Sequence, residues 1–122
     1  MSELQFVYRV TAKSAWRQAQ LLGHIPPSPL DERDGFIHLS SVETMLETAR
    51  RYFQPEEEPL IVELSAEELE GSLHWEVVAT RGGQRFPHLY APSIPLSAVT
   101  GLISLRLERA QLQLGARTPY PA

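Results

Sequence analysis

Short runs of apolar, β-branched and aromatic residues recur along this chain and constrain its fold more than any other feature. In LHWEVV (73–78), Leu73, Trp75 and Val77 fall on one face of an extended strand, and His74, Glu76 and Val78 on the other. QFVYRV (5–10), FIHL (36–39), LIVEL (60–64) and GLISLRL (101–107) have the same character, with LIVEL as a central strand. RFPHLY (85–90) is a further extended run, and Pro87 inside it points to an edge strand or a bulge.

Two stretches carry helical spacing. Thr11 is placed to cap a helix over 12–22, with Trp16, Ala19 and Leu22 on one face and Gly23 at its end. Ser40, with Glu43 three residues on, matches a capping box ahead of the stripe Val42, Met45, Leu46, Ala49 and Phe53. Between them, HIPPSPLDERD (24–34) reads as a loop of the length that often borders a site. Ser65 and Glu68 open one helical turn closed by Gly71, RGGQ (81–84) is a turn, and RTPYPA is a frayed end. Helices come early and strands late. The expectation is a single α+β domain over residues 1–110, with a mixed or mostly antiparallel sheet and two main short helices, followed by a tail over 111–122.

Composition narrows the function classes. At 122 residues and 43% hydrophobic, the chain can bury one core without a staple. It has no cysteine, which removes disulfides, thiolate nucleophiles and Cys-ligated metals. The first residues, MSELQFVYRV, do not form a secretory signal, and no apolar run approaches the ~20 residues of a membrane span. A cytoplasmic protein with no membrane partner is expected. The formal net charge of −4 makes no strong case for DNA or RNA, although Arg9, Arg33, Arg81 and Arg85 can converge on a basic cleft. A nucleotide-sized ligand is the better expectation. No glycine-rich strand-to-helix turn is present, which argues against Rossmann and P-loop sites.

The candidate site rests on two histidines in short strands. His38 and Ser40 share a face, and Ser40 at a helix start offers backbone N–H groups to a phosphate or ribose hydroxyl. His88 and Tyr90 share a face of the later strand, with Phe86 joining them. Glu76 lies opposite Trp75 and needs a partner if it is buried, with Arg85 or Arg81 across the turn available. Arg9 is either an edge residue or an anion ligand. Each residue also has a plain structural reading: a core histidine, a helix cap, a solvated glutamate. His74 and His24 read as surface residues. No histidines stand at ligand spacing, so no metal is expected.

DGFIHLS (34–40), LHWE (73–76) and FPHLY (86–90), with the leading VYRV and Trp16, resemble the small bacterial family called domain of unknown function 952. The resemblance spans about residues 5–108, and Ala91 stands where that family usually has glycine after FPHLY. It implies a fold similar to ADP-ribosyltransferases, with a split β core and a cleft that in relatives holds NAD. On that resemblance His38 and Ser40 match the early-strand motif. His88 and Tyr90 are later-strand elements, and Glu76 is a weaker match for the carboxylate near the nicotinamide ribose. His38, His88 and Glu76 are thus the candidate catalytic residues. Arg9, Phe36, Ser40, Arg85 and Tyr90 are the candidate binding residues, with Phe36 or Tyr90 stacking on a ring. NAD is expected as a substrate, and a small-molecule nucleotide as the partner.

Three functions remain open. One is an ADP-ribosyl- or 2′-phosphotransferase in which Glu76 stabilises an oxocarbenium-like centre. Another is a phosphodiesterase using two histidines as base and acid on a cyclic phosphate. The third is a nucleotide-sensing domain without turnover.

Overall fold

The computed structural model describes residues 5–121. Alternating sequence gives strands β1 (Phe6–Thr11), β4 (Leu60–Ser65), β8 (Val99–Glu108) and β9 (Gln111–Pro119), which form a four-stranded sheet in the order β1-β4-β8-β9. A second sheet of three strands has the order β3-β6-β5, from Ile37–His38, Gln84–Leu89 and Leu73–Val78. A two-stranded ribbon pairs β2 (His24–Ile25) with β7 (Ile94–Pro95). Every strand pairing among the described residues is antiparallel, in an α+β architecture. No helix among them is long and apolar enough to cross a membrane.

The β1–β4 half of the four-stranded sheet is buried on both faces. Val7, Val62 and Leu64 point into a core shared with Trp16 and Ala19 of α1 (Lys13–Leu22) and with Ile37, Leu39 and Leu89 of the second sheet. Tyr8, Val10, Ile61, Ile103 and Leu112 point the other way, onto Met45 and Ala49 of α3 (Met45–Tyr52). Tyr8 and Ser40 join the two sheets through reciprocal backbone bonds of 2.9 and 2.7 Å. The chain therefore passes from the second sheet at His38 to the first at Ser40, and a cleft opens along that seam.

Several sequence expectations change. Residues 24–34 are not an irregular loop: they hold β2 and a short helix, α2 (Pro29–Asp34). Ser28 and Asp31 form a reciprocal capping box, Pro29 occupies the first turn, and Gly35 ends the helix at φ 83°. Thr11 stays in β1, and Ala12 precedes α1 without a side-chain cap. Leu22 is half exposed rather than core, and so is Val42. Ser40 is not a helix cap: α3 starts five residues later, after a turn closed by Ser41 and Thr44.

The largest change is at the C-terminus. Residues 111–119 form β9 rather than a tail, turning back from β8 at Arg109 and Ala110, both at positive φ. Buried Glu63 of β4 accepts from Arg117 of β9 at 2.7 Å, and Tyr120 meets the Trp16 ring edge-on at 5.4 Å. The run containing Pro87 is also not an edge strand, since β6 is the middle strand of its sheet. Pro87 is tolerated because its carbonyl, which accepts from Leu39, faces two-residue β3. In an antiparallel ladder the N–H of a residue points the same way as its carbonyl, so the donor that proline lacks falls where β3 has already ended.

Candidate functional site

Register brings the histidines together. His38 of β3 pairs with His88 of β6, and His88 pairs with His74 of β5. Because side chains alternate, Phe86, His88 and Tyr90 share the face that carries His38 and Glu76. The His38 and His88 ring centroids are 5.9 Å apart. Phe36 lies against both, 4.6 Å from His38 and stacked on His88 at 4.0 Å.

Each histidine is held by a carboxylate. His38 Nδ1 is 2.7 Å from Asp31 Oδ1, and its Nε2 is 2.9 Å from Asp34 Oδ2. Both ring nitrogens of His38 thus face carboxylate oxygens, which accept hydrogen bonds. His88 Nδ1 is 2.8 Å from Glu76 Oε1, which also accepts from Tyr90 Oη at 2.6 Å. Those two hydrogen bonds, Tyr90 first and His88 second, hold Glu76 below the usual carboxylate range. The same bond to Glu76 pushes the Tyr90 phenol up.

Asp31 anchors the His38 side. It is 2% exposed, and it accepts from Arg9 Nη2 at 2.7 Å, from the Ser28 N–H at 2.8 Å and from the His38 N–H at 3.1 Å. Burial alone would raise its pKa, but the bonds from His38 and Arg9, the Arg9 charge and the Ser28 N–H outweigh it. The carboxyl stays far below its ordinary value. Arg9 also donates to the His38 carbonyl at 2.8 Å. It is the counter-ion of Asp31, and its Nε is buried without a hydrogen-bond partner among the described residues.

A cavity of about 830 Å³ runs along the seam. His38, His88, Arg9 and Asp34 line one part of it, and Ser40, Thr48, Arg81 and Phe86 another, with Trp16 and Tyr52 as apolar wall. Ser40 Oγ is 2.9 Å from Thr48 Oγ1 on α3. Of the candidate catalytic and binding residues, His38, His88, Arg9 and Ser40 line this cavity, and so do Arg33 and Arg81 of the four arginines expected at a cleft. Glu76 supports His88 from outside the lining, and Tyr90 and Phe36 belong to the same aromatic cluster.

Arg85 is the exception. It alternates with Phe86 and His88, so it lies on the opposite face of β6, and it donates to the Trp75 carbonyl at 3.4 Å. It does not partner Glu76, and neither does Arg81, which binds Glu47 at 2.6 Å. Sequence reasoning missed Asp31, Asp34 and Thr48. Ser28-Pro29 with Asp31 three residues on is a helix-start pattern, and it places Asp31 and Asp34 one turn apart beside FIHL. Among the described residues, no three His, Asp or Glu side chains are grouped to hold a metal ion.

A family described as a protein of unknown function, DUF952, matches residues 10–102, which takes in β1 from Val10, both histidine strands and β5. The chain belongs to this family. It is also similar to protein CC0527 from Caulobacter crescentus. The crystal structure of that protein superposes with a TM-score of 0.79 at 36% identity, covering 88% of this chain and 93% of that one. Its solution structure gives 0.73 at 36% identity, covering 88% and 90%. Among curated proteins, none matches this chain. The DGFIHLS, LHWE and FPHLY segments all lie within the residues that match DUF952.

Proposed function

We propose that the seam cavity binds a nucleotide and that His38 and His88 act on its phosphate ester as an acid–base pair. The observation that carries this reading is the pair of carboxylate-backed imidazoles, His38 on Asp31 and His88 on Glu76, side by side on one cavity wall. A carboxylate on one ring nitrogen fixes orientation and tautomer and leaves the other nitrogen for proton transfer.

The hydrogen bonds suggest the division of labour. His88 commits Nδ1 to Glu76, and its Nε2 makes no hydrogen bond to a described residue, so it is the base. His38 faces carboxylates through both nitrogens and is the acid once Nε2 leaves Asp34. On a 2′,3′-cyclic phosphate, His88 takes a proton from water as the water oxygen bonds to phosphorus. The bond from phosphorus to one ribose oxygen breaks, and His38 gives that oxygen its proton. The products are a phosphate monoester, protonated His88 and deprotonated His38, and solvent restores both rings.

The ADP-ribosyltransferase-like fold that the family resemblance implies would place a ligand of the NAD or ADP-ribose class in the same cavity. Transfer chemistry with Glu76 as the charge stabiliser has less support. Glu76 lies outside the cavity lining, and its Oε1 is taken by His88 and Tyr90.

The test is a ³¹P NMR turnover assay with a 2′,3′-cyclic nucleotide, alongside thermal melts with NAD and ADP-ribose, on wild type, His38→Ala and His88→Ala. A ligand at 100 times its Kd stabilises by about 2.7 kcal/mol. The expected result is conversion of the cyclic phosphate that both variants lose while remaining folded. Nicotinamide release from NAD would favour ADP-ribosyl transfer. A melting shift without turnover would favour a sensing domain. No shift and no turnover with any nucleotide would overturn the reading.

A further inference from the structure

Arg81 lines the cavity, and one of its donors has no acceptor among the described residues. It is 8% exposed, carried by the helical turn Ala79–Arg81 that ends at Gly82 and Gly83, both at positive φ. Its guanidinium lies over the Phe86 ring at 4.4 Å, with Nη2 bound to Glu47 at 2.6 Å and to Thr48 Oγ1 at 3.3 Å. Nε is buried and, like Arg9 Nε, has no hydrogen-bond partner among the described residues. A buried unmet donor on a cation is costly unless a ligand satisfies it. The counter-ion, Glu47, is more than half exposed, so the buried charge is only partly balanced from inside the protein.

The hydroxyls beside Arg81 complete the arrangement. Thr48 Oγ1 can accept from both Arg81 and Ser40, which leaves its own proton free. An Arg edge with an adjacent hydroxyl donor matches a tetrahedral oxyanion better than a neutral carbonyl. Ser40, Thr48, Arg81 and Phe86 line the same cavity as His38 and His88. We infer that Arg81, with Thr48 and Ser40, is a phosphate subsite of this cavity, holding a phosphoryl group of the ligand other than the one between the histidines. The inference rests on the nucleotide reading of the cavity and narrows it to nucleotides carrying a second phosphate.

Inorganic pyrophosphate is the direct probe, titrated calorimetrically and followed by NMR into wild type, Arg81→Gln, Arg81→Lys and Thr48→Val. Arg85→Gln, on the other face of β6, is the control. The subsite predicts saturable binding in wild type, weakened about ten- to a hundredfold in Arg81→Gln. Arg81→Lys keeps the charge but loses the Nε–H edge, and it should weaken binding nearly as much. Thr48→Val should weaken it by a smaller factor, and Arg85→Gln should match wild type. If Arg81→Gln does not fold, Arg81→Lys and Thr48→Val carry the test.

Undiminished binding in Arg81→Lys and Thr48→Val, or no pyrophosphate binding by wild type, overturns the subsite. An ADP titration separates this outcome from the wider reading. Pyrophosphate binding without ADP or cyclic nucleotide binding leaves the subsite standing and removes the nucleotide. ADP binding that Arg81→Lys leaves unchanged does the reverse.

Discussion

Asp31 Oδ1 lies 2.7 Å from His38 Nδ1, and the same carboxylate holds Arg9 through its other oxygen at 2.7 Å. One buried side chain of α2 thus fixes a histidine of β3 and an arginine of β1. Asp31→Ala should leave the Arg9 guanidinium buried without its counter-ion, at a cost of about 3–5 kcal/mol. Chemical denaturation of the variant against wild type measures it. A change below 1 kcal/mol would mean that Arg9 finds solvent easily.

The same carboxylate sets an acid limit. Its folded pKa is depressed below the unfolded value of about 3.9, so its contribution is present above that pH. It is lost as pH falls from there through the folded pKa. Glu63, whose burial is outweighed by bonds from Arg117 and Thr100, shifts in the same direction. Melting temperature should therefore be flat toward neutral pH and fall progressively below about pH 4. Asp31→Asn should flatten that acid limb, and an unaltered limb would show that other carboxylates dominate it.

Glu76 should matter through His88. His88→Ala removes the proposed base and should lower turnover about 10²–10⁴-fold. Glu76→Gln keeps an acceptor for His88 and Tyr90, so it should cost a smaller factor, in kcat rather than KM. It should also move the acid limb of the pH–rate profile. Equal losses in the two variants, with an unmoved profile, would give Glu76 a direct role at the reacting atoms.

Asp34 competes with any anion for His38 Nε2. Its carboxylate is partly exposed and 2.9 Å from that nitrogen. Asp34→Asn should tighten binding of a phosphate-bearing ligand two- to fivefold, the scale of a partly exposed ion pair worth up to about 1 kcal/mol. Weaker binding in a titration would instead make Asp34 part of the ligand's own contacts.

The C-terminal strand should be required for stability. Arg117→Ala strips buried Glu63 of its cation and should cost about 1–3 kcal/mol, less than a fully buried pair because Arg117 is half exposed. Deleting residues 111–122 uncovers β8 and the α3 side of the core, and it should abolish cooperative melting. A truncated chain that melts like wild type would restore the reading of these residues as a tail.

Strands were legible wherever alternation was clean, as at Leu73–Val78, whose bounds match the structure. That period set His38 with Ser40, His88 with Tyr90 and Glu76 opposite Trp75, but the register that puts His38, His88 and Glu76 on one face comes from strand pairings that no local pattern shows. Residues 111–119 were hidden because Gly115, Thr118 and Pro119 interrupt the apolar pattern, and the turn at Arg109 and Ala110 lacks the usual Gly or Asn. The α2 helix was obscured by three prolines around a capping signal that was nonetheless present at Ser28. Ion-pair partners were least legible. Arg9 with Asp31 and Arg81 with Glu47 are 22 and 34 residues apart, and no local pattern couples them.

The central claim is that His38 and His88 face one ligand in one cavity. The most direct measurement is an NMR titration of the imidazole ring signals with a 2′,3′-cyclic nucleotide and with ADP-ribose. The account predicts that His38 and His88 shift together and saturably with the same Kd, while His24 and His74 barely move. Ring signals of His38 and His88 that stay fixed at saturating ligand would contradict it.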